Sequence, residues 1–206
     1  GRYLRALADE LGRRDAASPH AVGVDASQAM LRGLGDAARG AVALAEALPL
    51  PTAWFDAVVS FNAVHHFALD GFLAEAGRVL RPGGMLVIYT RTPEQNRRTI
   101  WGEHFPEFAE RETRLPTRDA LRASLWASGV FGRVRLRTAA WWQFTTLGGL
   151  VHQARARHYS TFRFYAPEEF DAALARFDER LRRRFTSPRD IPVRNNHVIV
   201  YATRRG

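Results

Sequence analysis

An α/β architecture with a doubly wound, mostly parallel sheet is expected from three observations. Residues 2–90 alternate short apolar runs with amphipathic stretches. The runs Ala21-Val22-Gly23-Val24, Ala57-Val58-Val59-Ser60-Phe61 and residues 85–89 lack polar alternation, as strands buried on both faces do. Breakers and caps separate them at the spacing of strand–helix–strand units.

Residues 2–12 read as a helix, with Tyr3, Leu4, Leu7 and Leu11 near helical spacing. Residues 21–25 form the first strand. Ser27 stands at the N-cap of a helix running from Gln28 to about Ala38. A short strand is expected at 42–44, before the breaker Leu48-Pro49-Leu50-Pro51. Residues 55–61 form the next strand. The helix over 69–80 stops at Arg81-Pro82-Gly83-Gly84, which turns the chain into the strand 85–89. Residues 91–115 read as aromatic and irregular. Thr117 caps a helix over 118–128, and 134–142 is a strand with Val134, Leu136 and Thr138 on one face. A helix lies within 146–157. Pro167 opens a helix to about Arg184 with a stripe of Phe170, Leu174, Phe177 and Leu181. Residues 198–202 form the last strand.

The 206 residues suffice for a single domain over 1–206, with 91–115 and 139–166 as insertions that could cover a substrate. The net charge of +9 raises the question of nucleic acid. All 30 basic residues are arginine, however, and only Arg180-Leu181-Arg182-Arg183-Arg184 is a cluster, in the pattern of a solvated helix face. A nucleic-acid partner is therefore disfavoured. No apolar run approaches a membrane span. The absence of cysteine removes disulfides and thiolate metal sites, and it fits a cytoplasmic chain. The histidines lack paired ligand spacing, and adjacent His65-His66 on an extended segment would point apart, so no metal site is expected.

The most informative order is glycine, helix, strand, acid. Gly1 precedes the first helix, and Asp25 ends the strand that follows. In nucleotide-binding βαβ units an acid about 20 residues beyond the glycine loop accepts the ribose hydroxyls. The strand that should feed that loop is expected to be missing from this chain.

Six pieces then fall in sequence: Gly1-Arg2-Tyr3-Leu4, Val22-Gly23-Val24-Asp25, Ala45-Glu46-Ala47-Leu48-Pro49-Leu50, Phe55-Asp56-Ala57-Val58-Val59-Ser60, His65-His66-Phe67 and Arg78-Val79-Leu80-Arg81-Pro82-Gly83-Gly84. Together they resemble a class I S-adenosylmethionine (SAM) dependent methyltransferase, in the small-molecule group of the ubiquinone and menaquinone methyltransferases. The resemblance covers roughly residues 1–90. It implies a Rossmann-like fold, SAM as cofactor and methyl transfer to a small-molecule acceptor.

It also implies roles for particular residues. Gly1 matches the last glycine of the cofactor loop. Asp25 would take the ribose, Ala26 follows it, and Met30 would pack near the adenine. Ala45 and Glu46 match the loop at the adenine edge, although Leu44 stands where the family often has Asp. Asn62 lies near the methionine end. His66 is the candidate general base, since imidazole titrates near neutrality; orienting a loop is its alternative role. A base is needed only where the acceptor must lose a proton. Arg91, Trp101, His104, His158 and Tyr159 are candidates for acceptor binding, because aromatic walls with Arg and His suit a flat or anionic molecule. The same aromatics could instead form a second small core.

Two other readings stay open. Gly1-Arg2-Tyr3-Leu4 and His65-His66-Phe67-Ala68 are also similar to tRNA wobble-uridine methyltransferases. A non-catalytic methyltransferase-like subunit is the third possibility. The oligomeric state is not encoded in any motif.

Overall fold

A computed structural model describes Tyr3, Ala6, Asp9, Glu10 and residues 21–37 and 39–206. Gly1 and most of the expected first helix lie outside the described residues; Tyr3, Ala6, Asp9 and Glu10 are helical. The chain forms two compact units. Unit 1 comprises 1–88, 122–135 and 200–206, and unit 2 comprises 89–121 and 136–199.

In unit 1, β1 (Val22–Asp25) pairs in parallel with β2 (Arg39–Val42), with Val22 opposite Arg39 and Asp25 opposite Val42. The second strand thus lies three residues earlier than its apolar run suggested. Glycine explains the shift. A Cβ on Gly23 would meet Leu34 Cδ1 at 2.7 Å, and one on Gly40 would meet the same atom at 3.4 Å. The two glycines let Leu34 settle against both strands. The expected helix from Gln28 also shortens. It is α-helical only as α1 (Gln28–Leu31) and continues as a 3₁₀ turn over Arg32–Ala37, where Gly33 and Gly35 weaken α propagation. Ser27 occupies the cap position without a side-chain cap bond.

Four strands form a second sheet: β3 (Phe55–Phe61), β4 (Leu80–Thr90), β5 (Phe131–Thr145) and β6 (Ile191–Arg204), in the order β3-β4-β6-β5. The helix α2 (Leu69–Val79) buries Phe72, Leu73, Ala76, Gly77 and Val79. The expected turn at Arg81-Pro82-Gly83-Gly84 is absorbed into β4, with Gly83 at φ +78°. Only glycine takes that backbone without strain.

Unit 2 differs most from the sequence reading. The stretch expected to be irregular contains α3 (Pro93–Arg97), α4 (Ile100–His104) and α5 (Phe108–Arg111). A reciprocal capping box starts α3: Thr92 Oγ1 accepts from the Gln95 N–H, and the Thr92 N–H donates to Gln95 Oε1. Thr99 Oγ1 caps α4 through the Gly102 N–H at 3.0 Å. A Cβ on Gly102 would lie 2.3 Å from Asn96 O, so only glycine lets α4 close on the end of α3.

The remaining helices are α6 (Arg118–Ala127), α7 (Leu147–Arg155) and α8 (Pro167–Arg184). Phe170, Leu174, Phe177 and Leu181 on α8 are all buried, as their spacing predicts. They join Trp101, Phe105, Phe108 and Phe162 in one core. The Trp101 ring stacks on Phe177 at 5.0 Å and meets Phe162 edge-on at 5.6 Å. Arg182 and Arg183 pair with Asp178 and Glu179 one turn earlier, which makes the arginine run a solvated face. Among the described residues no helix is long and apolar enough to cross a membrane.

Candidate functional site

Each unit gathers one set of candidate residues. In unit 1, Asp25 ends β1, and its Oδ1 accepts the Ser27 N–H at 2.8 Å. That turn fixes the carboxylate and leaves Oδ2 without a partner among the described residues. Ala26 and Met30 follow on an exposed rim, with Met30 64% exposed. Glu46 is held differently from the expectation. Its Oε1 accepts the Ala68 N–H at 2.5 Å, directly before α2. A carboxylate there offsets unpaired N–H groups at a helix start, so at least one oxygen of Glu46 has a structural role. Ala45 lies beside it, half-buried.

At the end of β3, Ser60 is buried and its Oγ has no hydrogen-bond partner among the described residues. Asn62 follows with φ +49°, a left-handed turn that leaves it exposed. Tyr3 stacks on Phe61 at 4.5 Å, bringing the start of the described chain to this strand end. His65 and His66 lie in a 3₁₀ turn over Val64–His66. Their rings do not point apart as an extended segment would require. The centroids lie 4.1 Å apart, because the tight turn brings consecutive side chains together. His66 is exposed. Among the described residues no group of three or more His, Cys, Asp or Glu could hold a metal ion.

In unit 2, a small cleft open to solvent is lined by Arg91, Thr99, Trp101, Tyr159 and Asn195, among others. Three of the five expected acceptor residues, Arg91, Trp101 and Tyr159, thus meet at one place. His104 and His158 do not line it. His104 packs edge-on to Phe185 at 6.0 Å, and burial holds its pKa below the usual histidine value. His158 is exposed and stands edge-on to Tyr159.

The sequence reading missed Asn195 and His197. Both are buried in the first half of β6, which was not expected to be strand because Arg194-Asn195-Asn196-His197 is polar. Polar residues inside a strand are themselves the signal that could have found them. His197 is sandwiched between Tyr89 at 4.4 Å and Trp141 at 5.4 Å. Burial, with help from Arg91, pushes its pKa down to about 3, so the imidazole is neutral at physiological pH.

A family model described as "Methyltransferase domain" matches residues 1–88. Solved structures support the fold over nearly the whole chain. One is a candidate methyltransferase from an antibiotic biosynthesis pathway of Anabaena variabilis, at 20% identity and TM-score 0.66, covering 97% of this chain and 87% of the other. Another is phosphoethanolamine N-methyltransferase 2 of Haemonchus contortus, solved with SAM, at 15% identity and TM-score 0.54, covering 96% and 46%. A third is the [4+2]-cyclase SpnF, at 18% identity and TM-score 0.52, covering 95% and 71%. No curated protein matches the chain significantly in sequence. The chain has the α/β fold of the class I SAM-dependent methyltransferases.

Proposed function

We propose that the protein is a SAM-dependent methyltransferase acting on a small-molecule acceptor. The observation that carries this reading is the Asp25 carboxylate, held at the end of β1 by the Ser27 N–H, with its second oxygen without a partner among the described residues. A carboxylate so held takes vicinal ribose hydroxyls, which an amide or hydroxyl cannot do equally. Ser60 and Asn62 at the end of β3 fit the same cofactor, since the buried Ser60 hydroxyl lacks a partner that a polar ligand would supply.

SAM, when bound, supplies an activated methyl group for in-line displacement. The protein's work is then alignment and exclusion of water. Asp25 and Asn62 would hold the cofactor, with Ala26, Met30 and Ala45 beside them; Gly1, the loop glycine of the resemblance, lies outside the described residues. Glu46 braces the adenine loop through Ala68. His66 takes a proton where the acceptor must lose one. Arg91, Trp101 and Tyr159 receive the acceptor, and the segments 91–115 and 139–166 form its walls. His104 and His158 act at most at the margin of that surface. The same fold hosts a cyclase, so methyl transfer itself must be measured.

The test is transfer of a radiolabelled methyl group from SAM to a panel of small phenols, amines and carboxylic acids, with tRNA as a parallel substrate. Label in a small molecule supports the reading. Label in tRNA alone would replace it with the wobble-uridine alternative. SAM binding without transfer to any acceptor would favour a non-catalytic subunit.

A further inference from the structure

We infer that the unit 2 cleft is an oxyanion pocket, in which Arg91 and Asn195 hold a carboxylate or phosphate group of the molecule that binds there. Identifying that molecule as the methyl acceptor rests on the reading above; the anion site itself does not.

The charge balance of the cleft is one-sided. Arg91 and Arg194 both line it, and no acidic side chain does. The other polar lining groups are Thr99, Gln143, Thr145, Gln153, Tyr159 and Asn195, all able to donate. A guanidinium facing a partly enclosed space without a counter-charge favours an anion from solution.

The donors are also unused. Asn195 is 9% exposed, and its Nδ2 has no hydrogen-bond partner. Arg91 Nε is buried and likewise unpartnered. Buried donors without partners are uncommon and destabilising. The two groups are linked, because Arg91 Nη2 donates to Asn195 Oδ1 at 3.4 Å. That contact turns the amide so that Oδ1 faces the guanidinium and the NH₂ points elsewhere. The result is two unpartnered donor groups, one of them charged, on a pair of residues in direct contact. An oxyanion would satisfy both at once.

Trp101 and Tyr159 supply aromatic lining, and Leu150 and Val193 supply apolar lining. The electrostatic field points the same way, since Arg91 helps to keep the neighbouring His197 neutral. Arg91 directly follows β4 and Asn195 lies within β6, and the two side chains are in contact without any ligand.

The experiment uses the whole chain at constant ionic strength. Benzoate, inorganic phosphate and neutral benzamide are titrated separately by calorimetry. Saturable binding of benzoate or phosphate, with none of benzamide, is expected. Tighter benzoate identifies a carboxylate-bearing ligand, and tighter phosphate a phosphorylated one. Arg91→Gln should weaken the preferred anion by about 10- to 100-fold, the range for a lost charged hydrogen bond. The isosteric Asn195→Asp, which puts a negative charge in the same place, should abolish binding while circular dichroism shows an intact fold. Asp25→Ala should leave anion affinity unchanged. Equal affinity in wild type and Arg91→Gln, or no saturable anion binding at all, overturns the inference. SAM binding that survives in a chain that binds no anion would sink the pocket and leave the methyltransferase reading standing. Anion binding without SAM binding would do the reverse.

Discussion

Replacing Asp25 with alanine removes the acid at the end of β1, and the structure gives a scale for the loss. Oδ1 already accepts the Ser27 N–H at 2.8 Å, so a ribose would meet one shared oxygen and one without a partner among the described residues. Two hydroxyl bonds to a carboxylate contribute about 1.5–3 kcal/mol each. Asp25 is only partly buried, so the lower figure applies to both bonds. The sum is about 3 kcal/mol, or roughly 150-fold in the Kd for SAM. Asp25→Asn keeps the volume and one carbonyl acceptor but loses the charge, and about tenfold weakening is expected. Asp25→Ala releases the Ser27 N–H, which is exposed and can bond to water, and Asp25→Asn can keep that bond through its side-chain carbonyl, so folding stability should change little. Calorimetric titration of SAM into wild type and both variants, with melting curves as the control, is the assay. Unchanged affinity in Asp25→Ala would refute the ribose assignment. A collapse of the melting transition would refute the claim that the acid is functional and not structural.

Other predictions rest on other contacts. His66→Ala should leave SAM affinity nearly intact and lower turnover, as measured by steady-state methyl transfer; a large loss of SAM affinity would make His66 a structural part of the loop. Phe177→Ala opens a cavity beneath Trp101 and should cost about 3–5 kcal/mol in urea unfolding. Thr161→Val removes the hydroxyl that donates to the buried Glu112 at 2.6 Å, with an expected cost of about 1.5–3 kcal/mol by the same measurement. His197 gives a pH dependence. Its folded pKa is depressed to about 3, so the unfolded chain binds the extra proton between that value and the ordinary 6.5. Stability present above pH 6.5 should therefore be lost as pH falls through this window, at up to about 1.4 kcal/mol per pH unit. His197→Phe should flatten that slope in denaturant titrations.

The elements best read from sequence are those whose local signals agree with their packing. The α8 stripe works because Phe170, Leu174, Phe177 and Leu181 share one face and Pro167 starts the helix. Thr117 marks a helix start that the structure bears out with a side-chain bond from the Ala120 N–H. The errors came where small or polar residues decide. Gly23 and Gly40 set where β1 and β2 meet through their approach to Leu34, which periodicity does not encode. The capping box at Thr92 was legible in Thr-Pro-Glu-Gln, yet the aromatic density after Arg91 obscured it. Polar Asn195 and His197 shortened the expected last strand. In the structure they sit in β6 because Asn195 faces Arg91 and His197 stacks between rings from β4 and β5. The candidate residues Arg91, Trp101 and Tyr159 were legible in sequence, but Asn195, the partner of Arg91, lies 104 residues beyond it and carries no motif. His104 and His158 were chosen for residue type alone, and packing sends both elsewhere.

The central claim is that unit 1 binds SAM through the ends of β1 and β3. Its most direct test is calorimetric titration of SAM, and separately of S-adenosylhomocysteine, into the whole 206-residue chain. Saturable binding of both at one site per chain, lost in Asp25→Ala, is the predicted result. A folded chain that takes up neither would contradict the claim.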